Sequence, residues 1–343
     1  MSSNIEIRKD SLKIECYDYG YAVPGKQDIT HIYDKAGNYV PFTYKRKYNK
    51  TEYAVPKIKM DIPLDNVEFI DEEVVYLGFM RGHWGHFMVD SSVRLWCIDT
   101  PECREKRMIM TIEGMNDFYK KLFSILGIEE KILFVKKPMQ FKSIYVPEIS
   151  YYPGHYITKE FLYPFNKVAE NIKLKKPFYE KLYFSRVNFA KGKKEYGEKE
   201  IQRIFQENGY QVVYPEELTY EEQVWLLKNC KSLATTNGTI AHNILYACDC
   251  TELIILNRFN ERENIHQKGI NQLKKINVRY INAYVSGSNH DSSMLYLTKD
   301  LYEFFLEKKM KYHVSKMKIK TKKLLFKLYI CLKSMNVKRT WMV

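Results

Sequence analysis

Between residues 182 and 256 the chain alternates two hydrophobic periods. Leu182-Tyr183-Phe184 is a short β-prone run that ends on Ser185-Arg186. After a basic loop, residues 198–208 carry apolar side chains at helical spacing, and Tyr210-Gln211-Val212-Val213-Tyr214 returns to strand-like residues. A second helix-like run starts at Tyr220-Glu221-Glu222-Gln223. Ser232-Leu233-Ala234-Thr235-Thr236 then enters Asn237-Gly238-Thr239, and a helix-like run leaves it. Strands and helices in alternation build a parallel α/β lobe. Two features of the stretch suit an anion. Arg186 closes the first strand, and a glycine turn opens the last helix, where free backbone N–H groups and the helix dipole point outward.

At 343 residues the chain has room for two domains. Apolar residues make up 45% of it, enough for a sizeable core and against global disorder. The seven cysteines are odd in number and lack CxxC spacing, so reduced thiols in a cytosolic protein are expected, with neither a disulfide framework nor a zinc site. Residues 1–6 hold no apolar signal segment, and no run approaches the roughly 18 apolar residues of a membrane span. The net charge of +14 is uneven. Residues 308–343 contain eleven Lys, one Arg and no acid, leaving +2 for everything before them. The basicity therefore belongs to a tail, which argues against a broad nucleic-acid surface on the body.

Taken in order, residues 1–70 read as short strands and turns. Residues 71–78 look like a buried strand that stops at Gly78. A helix starting near Gly85 would set His86, Asp90 and Arg94 at i, i+4 and i+8 along one side. That pattern fits a surface Asp90–Arg94 pair with a capping histidine. It also fits charged groups facing a cleft, and the apolar Phe87, Val89, Leu95 and Trp96 around them favour the cleft. His83 and His86 lack a third ligand, so no metal site is expected. Further elements are a helix over 115–125, strands over 131–135 and 141–147, a helix over 161–175, strands over 252–256 and 278–281, a polar loop over 286–291, and a helix over 301–307. In the tail, Met317, Leu324, Leu328, Cys331 and Met335 recur at helical spacing, flanked by Lys316, Lys320, Lys323 and Lys327. This is the pattern of a basic amphipathic helix lying in a membrane interface, too short and interrupted to span it.

An ordered set of these residues resembles glycosyltransferase family 61. The set comprises Tyr183-Phe184-Ser185-Arg186, Lys194, Glu198, Gly209-Tyr210-Gln211-Val212-Val213, Pro215-Glu216, Leu218-Thr219, Glu222-Gln223, Asn237-Gly238-Thr239 and Asn243. The family pattern has a Ser-Arg strand end, an Arg-x-x-Asn-Glu loop, a Glu-Gln helix start and a His-Gly-Ala turn with an Asn four residues later. Its first lobe carries a His-x-x-x-Asp-x-x-x-Arg helix, matched here by His86, Asp90 and Arg94. The chain departs from it at Lys194 for Arg, Gly197 for Asn, and Asn237 and Thr239 for His and Ala. The likeness covers roughly residues 70–260.

The resemblance implies an α/β protein of two Rossmann-like lobes facing across a cleft, the GT-B arrangement. Residues 71–175 would form the acceptor-side lobe and residues 176–300 the nucleotide-sugar lobe; outside the likeness, residues 1–70 read as a β-rich segment of the first lobe and residues 301–343 as a C-terminal helix with the membrane-interface tail. It further implies an inverting, metal-independent transfer from a nucleotide sugar, with a UDP-sugar expected, to a glycan or lipid-linked acceptor in surface polysaccharide synthesis. The catalytic set would be Asp90 as base, with His86 as the alternative base or as its orienting partner, and Arg94. The donor set would be Arg186, Lys194, Asn237, Gly238 and Thr239. Asn243 either joins it or braces the turn. Placement would be peripheral on the inner face of the cell membrane, with no nucleic-acid partner. Two other readings stand beside this one at the level of sequence: a pyruvyl or phosphosugar transferase on a two-lobed fold, and a non-catalytic membrane-associated scaffold.

Overall fold

The structure, a computed structural model, describes residues 5–24, 30–40, 67–80, 82–112, 117–189, 195–257, 264–285, 293–313, 317, 320–321, 323–329 and 331–332. Lys194 and the predicted polar loop over 286–291 lie outside the described residues, as does much of the tail. The chain divides into two compact units, Met1–Asn171 and Ile172–Val343. The division follows a helix end and precedes Lys175-Lys176-Pro177.

Unit 1 contains β1 (Glu6–Ile7), β2 (Ile14–Asp18), β3 (Tyr21–Pro24), β4 (Thr30–Tyr33), β5 (Glu68–Met80), β6 (Arg107–Ile112), β7 (Ile132–Phe134), β8 (Met139–Pro147), β9 (Tyr151–Tyr152) and β10 (Tyr156–Ile157). Its helices are α1 (Trp84–His86), α2 (Asp117–Leu126) and α3 (Tyr163–Asn171). The main sheet runs β4-β3-β8-β5-β6-β7, with β2 also paired to β8. Strands β5, β6, β7 and β8 are parallel, and their spatial order β7-β6-β5-β8 is the 3-2-1-4 of a Rossmann half. The central strand is buried on both faces from Val74 to Leu77, which explains its unbroken apolar run. It does not stop at Gly78, as its sequence suggests. It bulges there and runs on to Met80. The small β1-β10-β9 sheet is separate.

Unit 2 contains β11 (Lys181–Phe184), β12 (Glu195–Tyr196), β13 (Gln211–Val213), β14 (Ser232–Thr236), β15 (Glu252–Asn257), β16 (Asn277–Asn282), β17 (Tyr284–Val285) and β18 (Ser293–Leu295). Its helices are α4 (Glu198–Glu207), α5 (Tyr220–Asn229), α6 (Thr239–His242), α7 (Ile265–Leu273) and α8 (Lys299–Glu307). Five parallel strands lie in the order β13-β11-β14-β15-β16, while β12, β18 and β17 form a small second sheet. In chain order the main sheet is 2-1-3-4-5, so its direction of winding reverses between β11 and β14. Such a switch point opens a crevice at the carboxyl ends of the strands.

Helix α4 buries Ile201, Ile204 and Phe205 against Tyr183, and Leu301, Phe304 and Phe305 of α8 close the same core. The C-terminal helix expected at the start of the 301–343 segment is α8, which packs into the unit 2 core. Beyond it, residues 323–329 are helical. Phe326 is buried there, while Leu324, Leu328 and Leu332 are 60%, 51% and 62% exposed. Among the described residues no helix is long and apolar enough to cross a membrane.

Candidate active site

In unit 1 the polar residues gather after β5, where its carboxyl end feeds a helical stretch of changing pitch. The stretch begins as α1, passes through a π turn over Phe87–Ser91, and tightens to 3-10 over Ser92–Cys97. The single regular helix expected from the i, i+4, i+8 spacing is corrected here. Changes of pitch leave carbonyls without helical donors, and other groups serve them. Ser92 Oγ donates to Met88 O at 2.8 Å, and both the N–H and Oγ of Ser150 donate to Val93 O at 2.9 and 2.8 Å. Single π turns occur frequently at functional sites.

His86 and Asp90 are brought together, with His86 Nδ1 and Asp90 Oδ2 2.8 Å apart. Their side chains are 31% and 30% exposed, so a substrate can reach them. The His83 ring lies 5.3 Å from that of His86.

Arg94 goes elsewhere. It is buried, its Nε donates to Pro147 O at 3.0 Å, and its guanidinium lies 5.2 Å from the Tyr76 ring centre. Burial draws the Arg94 pKa below the ordinary guanidinium value and pushes the Tyr76 phenol up to about 12. Arg94 thus joins the end of β8 to β5. Gly78 makes room for it: its φ is +93°, and a Cβ there would stand 3.1 Å from Arg94 Nη1. Trp96 Nε1 adds a bond to Glu148 O at 2.9 Å.

In unit 2 the polar residues gather at the switch point. Ser185 N–H donates to Val213 O, and Ser185 Oγ donates to Gln202 Oε1 at 2.7 Å and accepts from Val187 N–H at 3.1 Å. The buried Glu198 Oε1 accepts from Arg186 N–H at 2.9 Å and from Tyr183 OH at 3.3 Å. These bonds fix the backbone from which the half-buried Arg186 projects. Its guanidinium stacks over Phe189, 4.9 Å from the ring centre. Ser185, Arg186 and Glu198 of the sequence pattern are therefore one assembly. Gly197, where the family pattern has Asn, has φ of +87° at the start of α4. Glycine and asparagine are the residues that accept this left-handed geometry, so the departure conserves the backbone.

Across the switch point, Thr236 ends β14 and Gly238 adopts φ +127° and ψ −161°, open in practice only to glycine. Asn237 is buried beside it. Its Nδ2 donates to Asn257 Oδ1 at 3.3 Å, Asn257 Nδ2 to Asn282 Oδ1 at 3.2 Å, and Asn282 Nδ2 to Asp300 Oδ2 at 2.9 Å. This row of amides runs along the carboxyl ends of β14, β15 and β16. Sequence reasoning missed Asn257 and Asn282, although each closes an apolar strand run, which is the available signal. It also missed Thr236, whose buried Oγ1 has no hydrogen-bond partner among the described residues.

The helix after the turn is shorter than expected. α6 is one turn and becomes 3-10 over Asn243–Tyr246, so its dipole is small. Thr239 is half-buried at the first position of α6, and Asn243 is buried at the change of pitch. Nearby, His242 Nδ1 lies 2.8 Å from Gln267 Oε1 in a buried polar chain that continues to Asn271.

The Glu-Gln element is architecture. Thr219 and Glu222 form a reciprocal capping box at the start of α5, and Gln223 Nε2 donates to Pro215 O at 2.8 Å. Among the described residues no group of three or more His, Cys, Asp or Glu is placed to hold a metal ion.

The sequence pattern of the family described as Glycosyltransferase 61 matches residues 84–254, from the first residue of α1 to the middle of β15. The match takes in His86, Asp90, Arg94, Arg186 and the Gly238 turn, and ends before Asn257 and Asn282. A search of curated proteins gives no match.

Proposed function

Because the chain belongs to glycosyltransferase family 61 and is a glycosyltransferase, we propose that it transfers a sugar, with inversion, from a UDP-sugar to a glycan or lipid-linked acceptor in surface polysaccharide synthesis. Membership in that family leaves no place for the pyruvyl-transferase or scaffold readings. As a GT-B type enzyme it would bind donor on unit 2 and supply the base from unit 1. The observation that carries the donor assignment is that Arg186 and the Gly238 turn follow the carboxyl ends of β11 and β14, the adjacent strands at the switch point of the 2-1-3-4-5 sheet.

The acceptor hydroxyl attacks the anomeric carbon, the bond from that carbon to the nucleoside diphosphate oxygen breaks, and the hydroxyl proton passes to a base. Asp90 is the proposed base, held by His86. Such a group contributes roughly 10²–10⁴ in rate. A second reading is favoured by the 2.8 Å contact itself. With His86 Nδ1–H donating to Asp90, His86 Nε2 is left as the proton acceptor. Arg94 serves either reading as a positioning residue.

The departing diphosphate is neutralised by the forked guanidinium of Arg186 and by N–H groups of the Gly238–Thr239 turn. Lys194, in the same sequence element, would add a mobile charge. Asn237 and Asn243 brace the turn. No divalent ion is required in this scheme.

The enzyme would sit on the inner face of the cell membrane through its tail. Support comes from the exposed Leu324, Leu328 and Leu332 among the lysines of residues 308–343. The test is transfer from a panel of nucleotide sugars to lipid-linked acceptor, with and without EDTA. Thermal shift with UDP accompanies it, where ligand at 100 times its Kd stabilises by about 2.7 kcal/mol. Transfer abolished by EDTA and restored by Mg²⁺ would overturn the metal-free scheme.

A further inference from the structure

The tail helix does more than display an apolar row. It lies over a cavity of about 420 Å³ in unit 2, whose walls include Tyr284, Tyr296, Thr298, Lys299, Lys323 and Lys327. Three lysines from two separate segments line one hollow. Lys323 Nζ stands 5.2 Å from the centre of the Tyr296 ring, and Lys299 pairs with Glu303 at 3.4 Å. Lys299 is also the first residue of α8, directly after the Thr298 cap, where the positive end of the helix dipole disfavours a cation. Glu303 offsets the charge of Lys299, and the remaining excess of cations beside the start of a helix favours an anion in the hollow.

The neighbouring surface identifies the anion's setting. On the same helix as Lys323 and Lys327, Leu324 and Leu328 stand open to solvent, as does Leu332 four residues further on, while Phe326 is buried. An anion site beside an exposed leucine row matches one partner, a bilayer with phosphate at its surface and hydrocarbon beneath.

We propose that this cavity binds the phosphodiester headgroup of an anionic phospholipid. Lys299, Lys323 and Lys327 would hold the phosphate oxygens, and the tyrosines would flank the glycerol. This inference rests on the reading of the tail as a membrane-surface element, and adds that docking is through a headgroup site and is not summed charge alone.

Flotation of the full chain with vesicles tests it. Phosphatidylcholine vesicles carry phosphatidylglycerol in one series and oleate, at matched surface charge, in the other. Lys299→Gln removes one charge from the cavity, while Lys309→Gln removes the same charge from an exposed position of the same basic segment. Both lysines are exposed, so the fold should survive, and an unchanged Tm checks this. A surface cation is worth about 1 kcal/mol near an anionic leaflet, or roughly fivefold in binding.

The site requires Lys299→Gln to lose at least about tenfold on phosphatidylglycerol, clearly more than Lys309→Gln, and no more than Lys309→Gln on oleate. Equal losses for both variants on both vesicles would overturn the headgroup site and leave membrane docking standing. Absence of binding by the unaltered chain to either charged vesicle would overturn the membrane reading itself, and this inference with it.

Discussion

The two units solve the same problem by opposite means. Each has a parallel sheet with a switch point, and each sets its polar residues at the carboxyl ends of the strands there. In unit 1 the device is an irregular helix. The π turn carrying Asp90 changes the phase of the spiral, so His86 and Asp90 meet in the open while Arg94 turns into the core. In unit 2 the helix contributes little, since α6 lasts one turn. Positioning falls to Glu198 and Gln202 of α4, which hold the strand end before Arg186, and to the strand-end amide row behind Asn237. A proton acceptor must be reachable and adjustable. A diphosphate site must be rigid and ready. The contrast predicts that unit 1 variants alter chemistry and unit 2 variants alter binding.

The largest separation comes from Asp90→Asn. It keeps the shape of the side chain and removes the proton acceptor, so turnover should fall by about 10²-fold or more while UDP affinity stays within a factor of two. If Asp90→Asn turns over nearly normally and His86→Gln is dead, His86 Nε2 is the base. Equal loss of UDP binding would break the division between the units.

Arg186→Ala is the counterpart. Hydrogen bonds to a charged group are worth about 1.5–3 kcal/mol, so UDP should bind roughly 10- to 100-fold more weakly by calorimetry. Asn257→Ala tests the shell behind the turn. It removes the acceptor of Asn237 Nδ2 and the donor to Asn282 Oδ1, costing about 1–3 kcal/mol. In a domain of 150–250 residues each kcal/mol lowers Tm by about 2–4 °C. Weakened UDP binding should accompany the loss. Normal UDP binding at lowered Tm would make the amide row purely structural.

Gly78→Ala sharpens the unit 1 side. The left-handed backbone and the 3.1 Å approach to Arg94 should together cost at least about 1 kcal/mol, with turnover reduced and UDP binding untouched.

How far the sequence foretold this differs between the units for physical reasons. In unit 2 the period-2 and period-3.6 runs sit directly beside their turn residues, so β14 and the start of α5 fall where the pattern sets them. The missed helix α7 contains Gly269 and buries polar residues, Gln267 and Asn271, so it lacks an apolar stripe. In unit 1 the regular spacing of His86, Asp90 and Arg94 concealed a change of pitch that only Ser92, Ser150 and Pro147 reveal, and two of those lie some fifty residues downstream. Gly78 read as a stop because a bulge and a strand end use the same residue.

The smallest effect lies outside both clusters and marks where the contrast ends. Glu222 belongs to the family pattern, yet its contacts are all structural: it caps α5 with Thr219 and pairs with Lys176. The Lys176 ammonium, with the Thr219 N–H, holds the Glu222 carboxyl below the ordinary glutamate range. Its folded pKa is thus lower than its unfolded one. The stabilisation is complete above the unfolded value, near 4.3, and is lost as pH falls through the lower folded value. Glu222→Gln keeps an acceptor for the capping box but removes the charge. The cost at pH 7 should be a few tenths of a kcal/mol, at most about 1, as for other exposed pairs. Urea midpoints of the two proteins should converge as pH drops from 5 towards 3, with UDP affinity and turnover at pH 7 unaltered. A loss of turnover exceeding about tenfold in Glu222→Gln, with stability intact, would move Glu222 into the active site and place chemistry in unit 2.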